Sequence, residues 1–88
     1  MEFRWNQWNI EHLIKHGVHL EEAEQMICEA ARPYPRRIGE DKLLVWGAGR
    51  GGRLLQVIFV MDDDGTVFVI HGRELTNREK GRYRRSRR

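Results

Sequence analysis

Side chains that can bind phosphate and move protons gather around the end of an apolar stretch, Leu54–Ile70. Arginine binds phosphate oxygens through paired hydrogen bonds, and histidine exchanges a proton near neutral pH. Such a set can cleave RNA without a metal ion: a 2′-hydroxyl attacks the adjacent phosphate, cations stabilise the added negative charge, and a side chain protonates the leaving oxygen. The set comprises Arg50, Arg53, His71, Arg73, Arg78, Lys80 and Tyr83.

The same residues are equally compatible with a basic rim around a small domain that has no catalytic role. Alternation along a strand puts His71 and Arg73 on one face, near the start of the last predicted helix. Residue types alone do not separate the rim from a catalytic site, because both need only exposed cations.

The elements that must position these residues centre on a β-hairpin. Leu54–Met61 and Thr66–Ile70 are rich in β-branched and aromatic residues, which favour strands. Between them, Asp62–Gly65 is a typical turn sequence, since short acidic side chains bond their own backbone and Gly65 accepts a positive φ. Both faces of the first strand are apolar, which predicts a central strand.

Two helices precede the hairpin. Asn6 is a good N-cap for a helix from Gln7 to about His16, which Gly17 ends as the residue with positive φ. His19 caps a second helix that is expected to stop near Ala30 or Ala31, because a proline follows.

The remaining segments complete an α+β fold. Arg36–Gly39 and Lys42–Trp46 are expected strands, and Thr76 caps a basic helix from Asn77 to about Tyr83. The prediction is one domain over residues 1–83: two N-terminal helices, a three- to four-stranded antiparallel meander and a short basic C-terminal helix. Residues 84–88 are expected to form a basic, disordered tail.

The positive charge of the chain lies at its C-terminal end. Residues 1–77 carry nine Lys or Arg against twelve Asp or Glu, whereas residues 78–88 carry seven against one. A basic segment of this kind is typical of proteins that contact nucleic acid or another polyanion. The alternative is a solubilising tail without a partner.

Other patterns exclude several classes of function. The stretch Gly47–Gly52 matches G-x-G-x-x-G, but a strand follows it where a dinucleotide site needs a helix. His12 and His16 share a helix face but lack a further ligand at metal spacing, so we predict neither a metal site nor a cofactor. The lone Cys28, and the lack of a long apolar run or a leader, predict a cytoplasmic protein without a membrane segment.

Several short motifs together resemble the BrnT-type toxins of type II toxin–antitoxin pairs, over about residues 3–84. They are Trp5-Asn6 before a helix, Lys15-His16-Gly17-Val18, Glu21-Glu22-Ala23, Gly52-Arg53-Leu54, a strand ending in Arg73, and Thr76-Asn77-Arg78-Glu79 with Tyr83. The family is similar to the RelE-like ribonuclease toxins. The resemblance implies a compact antiparallel sheet beside helices, RNA cleavage that halts translation, and a ribbon-helix-helix antitoxin as the partner through which oligomers mainly form.

The resemblance also implies particular site residues. Arg53, Arg73 and Arg78 fall on positions that match the family, and His16 matches at a helix end, where a structural role is expected. A histidine at position 71 departs from the small residue that is common there, so His71 as the general acid is an inference from its chemistry and not from the family.

The prediction that follows is a ribonuclease toxin that acts on RNA, free or on the ribosome. Arg73 and Arg53 would hold the scissile phosphate while His71 or Tyr83 moves protons. The rival predictions are a small basic protein that binds RNA or the ribosome without cleaving it, and a pure interaction protein. The predicted RNA-binding residues are Arg50, Arg78, Lys80, Arg82, Arg84 and Arg85.

Overall fold

A computed structural model describes residues 1–87 and contains three α-helices and five β-strands within that range. The helices are α1 (Gln7–Lys15), α2 (Leu20–Cys28) and α3 (Asn77–Ser86). The strands are β1 (Phe3–Arg4), β2 (Arg36–Arg37), β3 (Lys42–Ala48), β4 (Leu54–Met61) and β5 (Val67–Glu74). The α+β class and the order of the predicted helices are therefore confirmed.

The five strands form one sheet in the order β1-β5-β4-β3-β2. Strands β2 to β5 pair as an antiparallel meander, whereas β1 pairs in parallel with the edge of β5. The prediction of three or four purely antiparallel strands was wrong on this point. With only Phe3 and Arg4, β1 is too short to show alternation in the sequence, and its partner lies more than sixty residues away.

The β4–β5 hairpin lies at the centre of the sheet, as its apolar pattern predicted. In the turn, the Gly65 N–H donates to the Asp62 carbonyl at 2.9 Å, and the Thr66 N–H donates to Asp64 Oδ1 at 2.9 Å. Gly65 has a φ of 86°, which glycine adopts without strain. The pairing register shifts between Ile58 and Phe59, so one extra residue of β5 is accommodated there.

Both N-terminal helices begin at caps that the sequence indicated. Asn6 and Asn9 form a reciprocal capping box, in which the Asn9 N–H donates to the Asn6 side chain at 3.1 Å. The helices α1 and α2 cover one face of the sheet, because Leu13 and Val18 lie within contact distance of Gly72 in β5, and Met26 lies close to Gly47 in β3. The core is built between these helices and that face. Its fully buried side chains are Leu13, Val18, Ala23, Val45, Leu55, Val57, Phe59, Val67 and Val69.

The helix ends differ from prediction by two or three residues. Helix α2 ends at Cys28 rather than near Ala30, and α3 continues to Ser86 rather than ending near Tyr83. Arg84 and Arg85, predicted to lie in a disordered tail, are therefore helical. The last residue of that tail, Arg88, lies outside the described residues. None of the helices described here combines the length and the apolar character that crossing a membrane requires.

Candidate nucleic-acid interface

Arg53 is anchored to the N-terminus of α2. Its Nη2 donates to the Gly17 carbonyl at 2.9 Å and to the two carboxylate oxygens of Glu22 at 3.0 and 3.3 Å. Only 1% of the Glu22 side chain is exposed, whereas 36% of the Arg53 side chain is, so the carboxylate is removed from water while the guanidinium stays in contact with it. Arg53 therefore joins the start of β4 to α2, and it does so through Nη2 of its guanidinium.

The Glu22 carboxylate is also the cap of α2. It accepts hydrogen bonds from the backbone N–H of His19 at 3.0 Å and of Arg50 at 2.7 Å. Burial would raise the pKa of the Glu22 carboxyl, but these two N–H groups and the charge of Arg53 outweigh that effect and lower its pKa. A side chain at Gly49 would collide with this carboxylate and with Leu55, so the glycine-rich loop is needed for close packing and not for a dinucleotide.

Arg73 is engaged in a second ion pair of the same design. Its two terminal nitrogens donate to the two carboxylate oxygens of Glu79 at 2.8 and 2.9 Å, and further bonds reach the Glu74 carbonyl at 3.1 Å and Gln56 Oε1 at 3.4 Å. The bidentate bond from Arg73 lowers the pKa of Glu79 to about 2, helped by the Thr76 N–H. Of the five N–H groups of Arg73, only Nε–H is left for a phosphate.

The structure does not bring Arg53 and Arg73 to one phosphate. Arg53 meets α2 on the face of the sheet that the first two helices cover. Gly72 also faces those helices, so the next residue, Arg73, points to the opposite face, where it meets Gln56 and α3. The predicted joint clamp of these two arginines gains no support from this arrangement, because each holds a helix N-terminus against the sheet through the third residue of that helix.

His71 shares the face of Arg73, as alternation predicted, and lies beside α1. Its ring centroid is 6.0 Å from that of His16, the residue that ends α1. Burial lowers the pKa of the His71 imidazole, and the positive charges of Arg73, His16 and His12 lower it further. A neutral imidazole at neutral pH accepts a proton more readily than it donates one, so the lowered pKa of His71 suits a general base better than the predicted general acid.

Tyr83 lies beside β3, whereas His71 belongs to β5. The ring centroid of Tyr83 is 6.3 Å from that of Tyr34, which in turn is 6.2 Å from Trp46 of β3. His71 belongs to β5, two strands away, which corresponds to about 10 Å between strand axes. The structure thus separates the two predicted proton carriers.

The remaining predicted cations lie mainly on α3. Lys80 pairs with Glu74 at 2.8 Å, and Arg50 lies in the loop before β4 at 4.0 Å from Glu21. Arg87, which caps the end of α3, is exposed and makes no ion pair with any carboxylate of residues 1–87. The same is true of four arginines within the helix. The four are Arg78, Arg82, Arg84 and Arg85. We call these four residues, together with Arg87, the α3 arginines.

Two of the α3 arginines lie over aromatic rings. The guanidinium of Arg82 lies 5.7 Å from the ring centroid of Trp46, and that of Arg87 lies 5.6 Å from that of Tyr83. None of Trp46, Tyr34 and Arg87 is among the RNA-binding residues predicted from the sequence. No spacing in the sequence connects them, because they come from three separate segments that meet only in the folded protein.

Metal binding has no support in residues 1–87, where no three His, Cys, Asp or Glu side chains converge in a way that could hold an ion. Comparisons with protein-family models, with curated proteins and with solved structures find no match for the chain. The chemistry of the α3 arginines and their aromatic neighbours is therefore the basis for assigning a function.

Proposed function

We propose that this protein is a toxin of the BrnT type, with a RelE-like fold, that binds single-stranded RNA and inhibits translation by cleaving it without a metal ion. The motif order that resembles this family supports the class of protein. The exposed positive charge of the α3 arginines supports RNA as the target. A cytoplasmic location and a ribbon-helix-helix antitoxin that neutralises the protein are parts of the same proposal.

The observation that carries the proposal is the exposed, unpaired charge of α3. Elsewhere, the functional arginines Arg53 and Arg73 are neutralised by buried or half-buried carboxylates. Along α3, by contrast, Glu79 is the single carboxylate of the helix and is taken up by Arg73. The α3 arginines therefore face solvent without a counter-charge among residues 1–87, and a polyphosphate backbone is the complementary partner.

The proposed cleavage depends on His71 as the proton acceptor. His71, neutral at physiological pH, would take the proton of a 2′-hydroxyl as the oxygen attacks phosphorus. The bond from phosphorus to the 5′-oxygen of the next nucleotide would break, and solvent water would protonate that leaving oxygen. The products would then carry a 2′,3′-cyclic phosphate and a 5′-hydroxyl. Arg73 is assigned a positioning role, since four of its five N–H groups are used within the protein.

A specific observation favours a second candidate, RNA binding without cleavage. Arg53 and Arg73 are held on opposite faces of the sheet. His71 lies on β5, whereas Tyr83 of α3 lies beside β3, two strands further along the sheet. A protein that only binds RNA needs the α3 arginines and neither proton carrier. The two candidates differ in one product, the cleaved strand.

The test of RNA binding uses two variants of equal net charge. Arg84→Gln/Arg85→Gln should lower the slope of log affinity against log salt by up to about 1.4, which is about 0.7 for each lost phosphate contact. The control Lys15→Gln/Lys42→Gln removes the same charge from α1 and β3 and should leave the slope unchanged. Equal slopes in the two variants would refute α3 as the binding surface.

The test of toxicity and cleavage uses induced expression and purified protein. The wild type should arrest growth and stop incorporation of labelled amino acids, and coexpression of a neighbouring ribbon-helix-helix reading frame should relieve the arrest. His71→Gln should retain RNA binding but lose cleavage, as judged by the ends of the RNA products. Normal growth with soluble wild-type protein would refute the toxin, and intact RNA bound by the wild type would establish the second candidate.

A further inference from the structure

A cavity of about 210 Å³ opens between the end of α2, strand β3 and the end of α3. Its walls include Met26 from α2, Ala30 just after that helix, Trp46 from β3, and Tyr83 and Arg87 from the α3 end. Pockets for drug-sized ligands have volumes of about 300–1,000 Å³. A site of this size, with aromatic and aliphatic walls, suits one planar ring system.

The rings around this cavity carry guanidinium groups on their faces. Arg82 lies over Trp46 at 5.7 Å, and Arg87 lies over Tyr83 at 5.6 Å. Neither arginine has a carboxylate partner among residues 1–87. Each is thus free to leave the ring for a phosphate when a base stacks in its place, and stacking on aromatic rings is the usual way in which proteins hold unpaired bases.

The edge of β3 adds hydrogen-bonding groups to the same place. Strand β2 pairs with β3 only at Leu43 and Leu44, so the stretch from Val45 to Ala48 has no strand neighbour on its outer side within the described chain. Every second residue of an unpaired edge presents its backbone N–H and C=O outward. These groups match the donors and acceptors along the edge of a nucleobase.

We propose that this cavity is a nucleobase site, which takes one unpaired base of single-stranded RNA between Trp46 and Tyr83 and the adjacent phosphate on Arg82 and Arg87. The inference rests on the RNA binding proposed above and locates one base of the bound strand. The Glu29 carboxylate also lines the cavity, so the phosphate lies on the α3 side, away from this negative charge.

A spectroscopic test reports on the site directly. In a Trp5→Phe/Trp8→Phe variant, Trp46 is the single tryptophan of the chain. Titration with a short oligoadenylate should quench its fluorescence, with saturation at the concentration at which the anisotropy of a labelled oligoadenylate saturates. RNA that binds this variant without changing Trp46 fluorescence would overturn the nucleobase site.

Affinity measurements supply the second readout. Tyr83→Ala should weaken oligoadenylate binding about 5- to 150-fold, the usual range for one lost stacking contact, while the salt slope stays constant because no charge is removed. Trp46→Phe keeps an aromatic ring and should bind nearly as well as the wild type. The control Trp8→Ala removes an exposed ring of α1 that stacks on His12 and on Phe68 of β5, two strands away from β3, and should have no effect.

The outcomes distinguish this inference from the proposed function. If the wild type binds oligoadenylate and Tyr83→Ala binds equally well, the nucleobase site is wrong while RNA binding by α3 stands. If the wild type binds no RNA at low salt, both are wrong. Far-ultraviolet circular dichroism of each variant should match the wild type, because Tyr83 is only half-buried and lies outside the central core.

Discussion

Replacing Glu79 by glutamine should weaken the attachment of α3 to the sheet, because it removes the charge that pairs with Arg73. The glutamine amide still offers an oxygen to the Thr76 N–H, which Glu79 Oε1 contacts at 2.8 Å. The substitution therefore separates the ion pair from the helix cap. Its effect reports how far Arg73 acts as a structural residue.

The magnitude follows from the pKa of Glu79. A fall from 4.5 to about 2, at about 1.4 kcal/mol per pKa unit, sets an upper limit of about 3–4 kcal/mol for all the interactions of the carboxylate. The two side chains are 31% and 20% exposed, so solvent screening reduces this figure, and the cap survives the substitution. We expect Glu79→Gln to lower the free energy of unfolding by about 1–2 kcal/mol at pH 7.

The effect should depend on pH with a definite sign. Because folding lowers the pKa of Glu79, its charge stabilises the folded protein fully above pH 4.5, and this contribution disappears as the pH falls toward about 2. Urea unfolding of the wild type and Glu79→Gln, followed by circular dichroism and tryptophan fluorescence, measures the difference at each pH.

Two results would refute this reasoning. One is a difference in the free energy of unfolding that stays the same from pH 7 down to pH 2. The other is additivity in a double-mutant cycle with Arg73→Gln, since two residues that act as one pair must show a coupling energy. Either result would return Arg73 to the list of residues available for phosphate.

Three further predictions concern residues of α1 and β5. Gly72→Ala places a methyl group 3.3 Å from Leu13 Cγ and should lower the free energy of unfolding by about 1–3 kcal/mol in urea, whereas no change would show that the helix moves freely. Asn9→Ala removes the donor at 3.0 Å from the buried Val69 carbonyl and should cost about 1–3 kcal/mol in the same assay. The His71 imidazole should titrate below pH 6.5 by NMR, and a midpoint at or above 6.5 would contradict the burial of its ring beside the cations that surround it.

The elements that local chemistry specifies could be predicted from the sequence. The Asp62–Gly65 turn, the caps Asn6 and Thr76 and the apolar alternation of β4 all depend on residues within a few positions of each other. Strand β1 could not be predicted in this way, because two residues become a strand only when the edge of β5 is available to pair with them.

The candidate site divides along the same line. The concentration of arginine between residues 78 and 88 was visible in the sequence, and with it the expectation of a polyanionic partner. The sequence did not show that Arg53 and Arg73 form ion pairs with carboxylates. Glu22 and Glu79 could be recognised as capping residues, but their second role depends on which strand end lies beside each helix.

By itself, the sequence determined where helices begin, where the hairpin turns and which end of the chain carries free positive charge, because each is set by neighbouring residues. Only the tertiary structure decided which cations remain free and that Tyr34, Trp46 and Tyr83 meet at the open edge of β3. The physical reason is that ion pairing and ring contact act over a few ångströms, and residues far apart in the chain reach that distance only after the sheet has formed.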